Sequence, residues 1–288
     1  MWLFMAILSA FFAGVTAILV KCGIKHTDSD IANALRTMAI LIFAWLIVYF
    51  VEDIHSFNNI NKSALFFLIL SGIATGIAWL CYFKALSMGD INKVVPIDKS
   101  SVVLSVLLAI IIFHEYIYFE AKIICIIIIF IGTLLMVDLK NSKEKALSQK
   151  YIIYAVLSAV FSALTSILAK FGVADISTNL ATAIRTIVIF LISWLIVIYQ
   201  GKMPLIKAIS HKEMCFIILS GITTTLSWIC YYYALKYGVV SIVVPIDKLS
   251  IVITILFSWL IFKEKLNLKT GIGLILIVSA TIIISFLK

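Results

Sequence analysis

The sequence predicts an all-α integral membrane protein: about ten transmembrane helices, arranged as two five-helix repeats of inverted topology. Three observations carry that prediction. First, 64% of the 288 residues are hydrophobic and 13% are charged, and a mean hydropathy of +1.18 lies well outside the range of soluble domains. Second, the chain repeats itself without a gap at an offset of 149 residues, so that Val94-Val95-Pro96-Ile97-Asp98-Lys99 returns as Val243-Val244-Pro245-Ile246-Asp247-Lys248. Third, each copy holds five apolar segments. An odd number starts the second copy on the opposite side of the membrane, which inverts it relative to the first.

A span needs about 20 mostly apolar residues. Helices are therefore expected over 2–20, 30–51, 64–83, 91–113 and 119–138, and again over 151–169, 178–199, 213–233, 239–262 and 268–287. The first starts at Trp2 with no basic n-region and ends without a small-x-small cleavage pattern, so it reads as a retained span. Its Leu8-Ser9-Ala10 returns in the sixth as Leu157-Ser158-Ala159. The second and seventh share Arg36-Thr37 with Arg185-Thr186, and Trp45-Leu46-Ile47-Val48 with Trp194-Leu195-Ile196-Val197. In the third and eighth, Leu70-Ser71-Gly72-Ile73 meets Leu219-Ser220-Gly221-Ile222, and Trp79 meets Trp228. The fourth and ninth carry the repeated VVPIDK and run to Glu115 and Glu264. The fifth and tenth close the copies.

Small residues recur at packing spacing: Ser9, Ala13 and Thr16 on one face of the first span, Ser158, Ser162 and Thr165 on one face of the sixth, and Gly72 with Gly76 in the third. Close helix packing explains them, and a polar stripe along a pathway is the alternative. Domain organisation follows: a first repeat over 1–139, a basic linker over 140–150 and a second repeat over 151–288.

A formal charge of +9 raises nucleic acid as a partner. The lysines, however, sit at segment ends, where they act as topology and headgroup anchors, so the partner is the lipid bilayer. Lys21, Lys25, Lys140, Lys143, Lys202 and Lys263 outweigh Lys62, Lys122, Lys170 and Lys236 on the other side, a bias that puts both termini outside. Five cysteines lie in or beside apolar runs with no C-x-x-C spacing, which argues against a disulfide framework and a metal cluster.

A proline and two opposite charges inside an apolar segment are costly in a bilayer, and here they occur twice. Pro96 and Pro245 start or break the fourth and ninth helices. Asp98 and Asp247 follow early in a helix, with Lys99 and Lys248 about 100° away, so each charge needs another partner. Arg36 and Arg185 are the candidates. Three readings are open: an ion-pair network tying helices together, carboxylates that take up and release protons, or direct contact with a charged substrate, for which an anionic or zwitterionic group suits the nearby cations. The second constellation is aromatic: Trp79 and Tyr82 in the third span, Trp228 and Tyr231 in the eighth. It is an interfacial belt or a stacking wall for substrate.

Two five-span repeats, fourth spans ending in Phe113-His114-Glu115 or Phe262-Lys263-Glu264-Lys265, and a last helix containing Gly271-Ile272-Gly273-Leu274-Ile275-Leu276 resemble the EamA-type transporters of the drug/metabolite transporter superfamily. The resemblance covers nearly the whole chain. The first copy lacks a glycine before Glu115 and keeps only Gly132 in its last helix. The resemblance implies a secondary transporter, often an exporter, that moves small metabolites or drugs through a central cavity between the repeats of a bacterial or archaeal cell membrane protein, with both termini cytoplasmic.

The expected function is therefore alternating-access transport of a small polar or amphipathic molecule, as exporter or exchanger, with protons as the coupling ion in one version. No Walker A or G-x-G-x-x-G sequence is present, so no nucleotide, cofactor or metal is expected. An intramembrane enzyme is disfavoured by the lack of H-E-x-x-H, G-x-S-x-G or a paired-Asp motif. A flippase for lipids or lipid-linked sugars, or a partner subunit of one, is the alternative. A duplicated chain holds both halves of a pseudo-dimer, so it can act as a monomer or a homodimer.

Overall fold

The computed structural model describes residues 1–23, 27–52, 61–88, 94, 97–98, 100–136, 150–262 and 268–287. Among them, the regular elements are all helical: α1 (Trp2–Gly23), α2 (Ser29–Val51), α3 (Lys62–Met88), α4 (Ser101–Ile112), α5 (Phe119–Met136), α6 (Lys150–Gly172), α7 (Thr178–Tyr199), a 3-10 turn (Met203–Ala208), α8 (His211–Tyr237), α9 (Val240–Asp247), α10 (Ser250–Phe262) and α11 (Leu268–Phe286). Among the described residues, seven segments are long and apolar enough to cross a membrane, against the ten expected, and Ser101–Ile112 and Gly271–Phe286 are shorter apolar helices.

Most boundaries fall within a few residues of expectation; the ninth span does not. It is broken at Lys248-Leu249, between α9 and α10. Pro245 sits inside α9 and offers no N–H to the carbonyl one turn back. At the end of the helix the bonds tighten to i→i+3, Lys248 N–H donating to Pro245 O at 3.0 Å and Leu249 N–H to Ile246 O at 2.9 Å. The break therefore lies just past the proline. Of the expected helix over 91–113, residues 91–93, 95–96 and 99 fall outside the described residues and Ser101–Ile112 forms α4, while the linker over 140–150 falls outside them except for Lys150.

The described chain divides into two compact units. One comprises Met1–Ile73, Leu168–Tyr237 and Ser250–Lys263, the other Ala74–Ile167, Gly238–Leu249 and Glu264–Lys288.

In the first unit α1 packs on α8 and α10, and α2 on α7 and α8. Asp28 caps α2 by accepting from Asp30 N–H (2.9 Å), and Ser177, its counterpart in the second copy, caps α7 through Leu180 N–H (3.2 Å). α2 and α7 run antiparallel. Ile31 and Ala34 near the start of α2 pack with Val197 near the end of α7, while Asn179 near the start of α7 donates to Glu52 just past α2 at 2.9 Å. Lipid tails are as apolar as leucine, so helices here adhere by close approach rather than by hydrophobic burial. Glycines supply that approach. A Cβ on Gly72 would stand 2.8 Å from Val188 Cβ, and one on Gly221 would stand 2.6 Å from Ala39 Cβ. Gly221 is the copy of Gly72, and Val188 that of Ala39. Gly23 against Ile217 likewise matches Gly172 against Leu68. Each contact recurs with the copies exchanged, which is the signature of a two-fold relation.

Outside the spans, Lys202 closes on both Asp28 and Asp30. Burial pulls the Lys202 ammonium down, but its hydrogen bonds to Asp30 and Asp28 outweigh that and raise it. Burial pushes the Asp28 carboxyl up, yet the Lys202 hydrogen bond and the Asp30 and Ile31 amides hold it below the ordinary carboxylate value.

In the second unit α5 packs on α11 and α4, and α9 on α4 and α11. The later part of α3 meets the early part of α6 around Ala85, Val94, Tyr151 and Ala155.

Candidate functional site

The loop after α4 organises α9. His114 takes a left-handed conformation (φ 54°), and Glu115 N–H reaches back to Ile110 O at 3.2 Å, a Schellman-type close in which histidine stands where glycine is usual. The turn aims the Glu115 carboxylate at the start of α9. Its two oxygens accept from Val240 N–H at 2.8 Å and Ser241 N–H at 2.9 Å, amides that have no intrahelical partner. The Glu115 carbonyl in turn accepts from the buried Lys122 Nζ at 3.0 Å. Seven residues after Val240, α9 ends at Asp247, with Lys248 Nζ 4.0 Å from its carboxylate. The helix stops there, so the two neighbours approach instead of diverging by 100°.

Asp98 is the copy of Asp247 in the first repeat. Its Oδ1 accepts from Ser158 Oγ of α6 at 2.7 Å, and it is the charged neighbour of the Tyr82 phenol of α3. Ile97 and Tyr82 pack with Tyr154 around the buried Tyr151 and Ala155. Farther along the same pair of helices, Thr75 and Thr165 hydroxyls meet at 3.2 Å. Trp79 is half-buried on the α3 face that carries Thr75 and Tyr82. Pro96 and Lys99 lie outside the described residues.

The first unit holds the remaining candidates. Arg185 is 2% exposed; its Nε donates to Ser71 Oγ at 2.9 Å, and its guanidinium lies 5.4 Å from the Trp228 ring and 5.0 Å from that of Tyr232. Tyr231 is a further electrostatic neighbour. Arg36, its counterpart, is half-buried and donates to Asn33 of its own helix at 2.9 Å. The Asn33 contact has no equivalent at Arg185, because the counterpart of position 33, position 182, is Thr. Thr16 pairs with Thr223 at 2.8 Å and Ser9 with Ser227 at 3.3 Å, so the small-residue stripe of α1 ties it to α8. An apolar groove of about 450 Å³ between α2 and α8, lined by Met38, Ile42, Ile218 and Ile222 among others, has no charged side chain to orient a substrate.

Reasoning from sequence alone passed over Ser71, Tyr232, Tyr154 and the capping role of Glu115. Tyr232 could have been found, since it stands four residues after Trp228 and therefore on its face, as Tyr231 also nearly does. Ser71 and Glu115 act on distant elements, and no local pattern marks such partners.

A model of the EamA-like transporter family matches residues 1–138 and again 149–286. An uncharacterized transporter encoded in the cobO 3' region of a Sinorhizobium species is 40% identical over 139 residues, 48% of this chain and 99% of the relative. An uncharacterized protein of Methanocaldococcus jannaschii is 33% identical over 98 residues, 34% of this chain and 70% of the relative. A solved crystal structure with 14% identity superposes with a TM-score of 0.78 over 99% of this chain and 96% of its own, which shows a shared fold.

Proposed function

The chain belongs to the EamA-like transporter family, and on that premise we propose that it is a secondary active transporter of a small polar or amphipathic molecule, an exporter or exchanger built from two inverted five-helix repeats. It is an integral membrane protein of a transporter family, and the finer reading concerns how it moves its cargo. The observation that carries this reading is the antiparallel pairing of α2 with α7, which are copies of one another. When equivalent helices run in opposite directions, exchanging the conformations of the two copies turns access from one face of the membrane to the other. The break at Lys248-Leu249 supports the same reading, since broken helices gather near transporter sites. Asp98, Asp247, Arg36, Arg185, Trp79 and Trp228 are the groups available for substrate binding or coupling.

The test is a thermal-shift screen of the purified protein against amino acids, nucleobases, polyamines, quaternary amines and sugars, followed by counterflow of the best ligand in proteoliposomes. A ligand of the folded state raises its apparent stability. Saturable counterflow is expected. Its absence for every stabilising ligand would remove the transport mechanism. For proton coupling, Asp98→Asn or Asp247→Asn should abolish gradient-driven uptake, and unchanged uptake in both variants takes protons out of the scheme.

A further inference from the structure

The apolar groove between α2 and α8 lies wholly within the first unit, along two helices that are long and apolar enough to cross a membrane. Gly221 creates it. The backbones come so near there that a Cβ on Gly221 would stand 2.6 Å from Ala39 Cβ and 3.0 Å from Arg36 O. One turn on, Thr225 Oγ1 reaches Ile40 O at 3.5 Å, so the two helices run side by side in the same direction. Small Ala39 forms the floor at this close approach, and the larger Met38, Ile42 and Ile218, all exposed, stand out as walls. From Leu35 to Leu46 the groove follows α2 for about 16 Å, half of a hydrocarbon core of about 30 Å. That is the depth of one leaflet.

The Leu35 end is tied to a polar rim. Leu35 packs in one cluster with Ile206 and Ile209, which bracket Lys207 at the 3-10 turn. On α8, His211, Met214, Ile218 and Ile222 fall at i, i+3, i+7 and i+11, so His211 continues the line of the groove past Met214 at the first residue of the helix. Lys207, His211 and Lys212 are exposed. The carboxylates of this end are engaged elsewhere: Glu213 is buried and accepts from Thr27 Oγ1 at 2.9 Å, while Asp28 and Asp30 close on Lys202. A trough one leaflet deep, apolar along its length and rimmed by exposed cations, has the form of an anionic phospholipid.

We propose that this groove binds an anionic phospholipid of the bilayer, with one acyl chain between α2 and α8 and the phosphate held by Lys207 and Lys212 beside His211. The inference goes beyond the transport reading and needs only that α2 and α8 lie in the membrane. The chain fills the gap that the Gly221 approach leaves between the walls, and the headgroup fixes which lipid stays. Phosphatidylcholine offers the same chain, but its trimethylammonium offsets the phosphate charge that the rim attracts, so it is held less well.

The experiment is native mass spectrometry of the full chain in detergent with an equimolar mixture of palmitoyl-oleoyl phosphatidylglycerol and the corresponding phosphatidylcholine, counting the lipids retained. Phosphatidylglycerol should be retained on the monomer with a preference of about tenfold or more, the size that two interfacial lysines supply. Filling the groove with Met38→Trp and Ile218→Trp together should lower its retention about threefold or more, and Lys207→Gln with Lys212→Gln should bring the preference to within about twofold. Ile275→Trp places the same bulk on an exposed face of α11 in the second unit and should change neither. Equal retention of the two lipids by the unmodified protein overturns the proposal, as does undiminished retention in the groove-filled variant or an equal loss in Ile275→Trp. A dimer mass that disappears in the groove-filled variant with no lipid lost also overturns it, because the groove then seats a second copy. Should the groove-filled variant fail to elute as a single species, the lysine variant decides, and an unchanged preference for phosphatidylglycerol overturns the assignment.

Discussion

Arg185 is 2% exposed in an apolar span, and its guanidinium is accommodated because planar, weakly hydrated charge can lie against the faces of Trp228 and Tyr232 while Nε donates to Ser71. Lysine carries the same charge as a compact, strongly hydrated point and cannot stack. Arg185→Lys should therefore cost about 1–2 kcal/mol, the size of a desolvated cation–π contact, read as a lowered thermal unfolding midpoint in detergent. A second residue-scale expectation concerns acid and base. The Asp28 carboxyl is held below its ordinary 3.8, so its contribution is present above that pH and is lost as pH falls through the folded-state value. Lys202 is raised above its ordinary 10.5, so its contribution is present below that pH and is lost as pH rises through the folded-state value. Asp28→Asn keeps a capping side chain but removes the charge, and should flatten the acid side of a stability-versus-pH curve while lowering stability at neutral pH by about 1 kcal/mol or less.

At the scale of elements, α9 depends on a residue from elsewhere. Glu115 satisfies two amides at its start, and the buried ends of a helix are costly when left open. Glu115→Ala should destabilise by about 1–3 kcal/mol, measured by thermal or denaturant unfolding, with Glu115→Gln recovering part of the loss. His114→Gly should act in the opposite direction by up to about 1 kcal/mol, because φ 54° is strained for a side chain and free for glycine. The missing glycine before Glu115 was visible in the sequence; the reason histidine serves there is the left-handed close of α4. The helix starts at Asp28 and Ser177 were legible as polar residues before apolar runs. The break of the ninth span was legible only as a proline, and its displacement to Lys248-Leu249 arises from the tightened amides that follow.

For the whole molecule, the exchanged contacts of Gly72 with Val188 and Gly221 with Ala39 mean that, within the first unit, helices of one copy pack closely on helices of the other. The Sinorhizobium relative, matched over 139 residues and 99% of its length, is about as long as one copy. Residues 1–138 and 149–286, co-expressed as two chains, should therefore co-purify through a tag on either one, and recovery of each half alone as a stable monomer would contradict this. The sequence by itself determined the membrane class and the duplication, because hydropathy and self-similarity are properties of the chain read along its length. Only the tertiary structure decided what surrounds the buried Arg185: Ser71 of α3 at its Nε and the rings of Trp228 and Tyr232 against its guanidinium. Ser71 is brought to Arg185 by packing between helices distant in the sequence, and the repeated Arg-Thr pair carries no record of it.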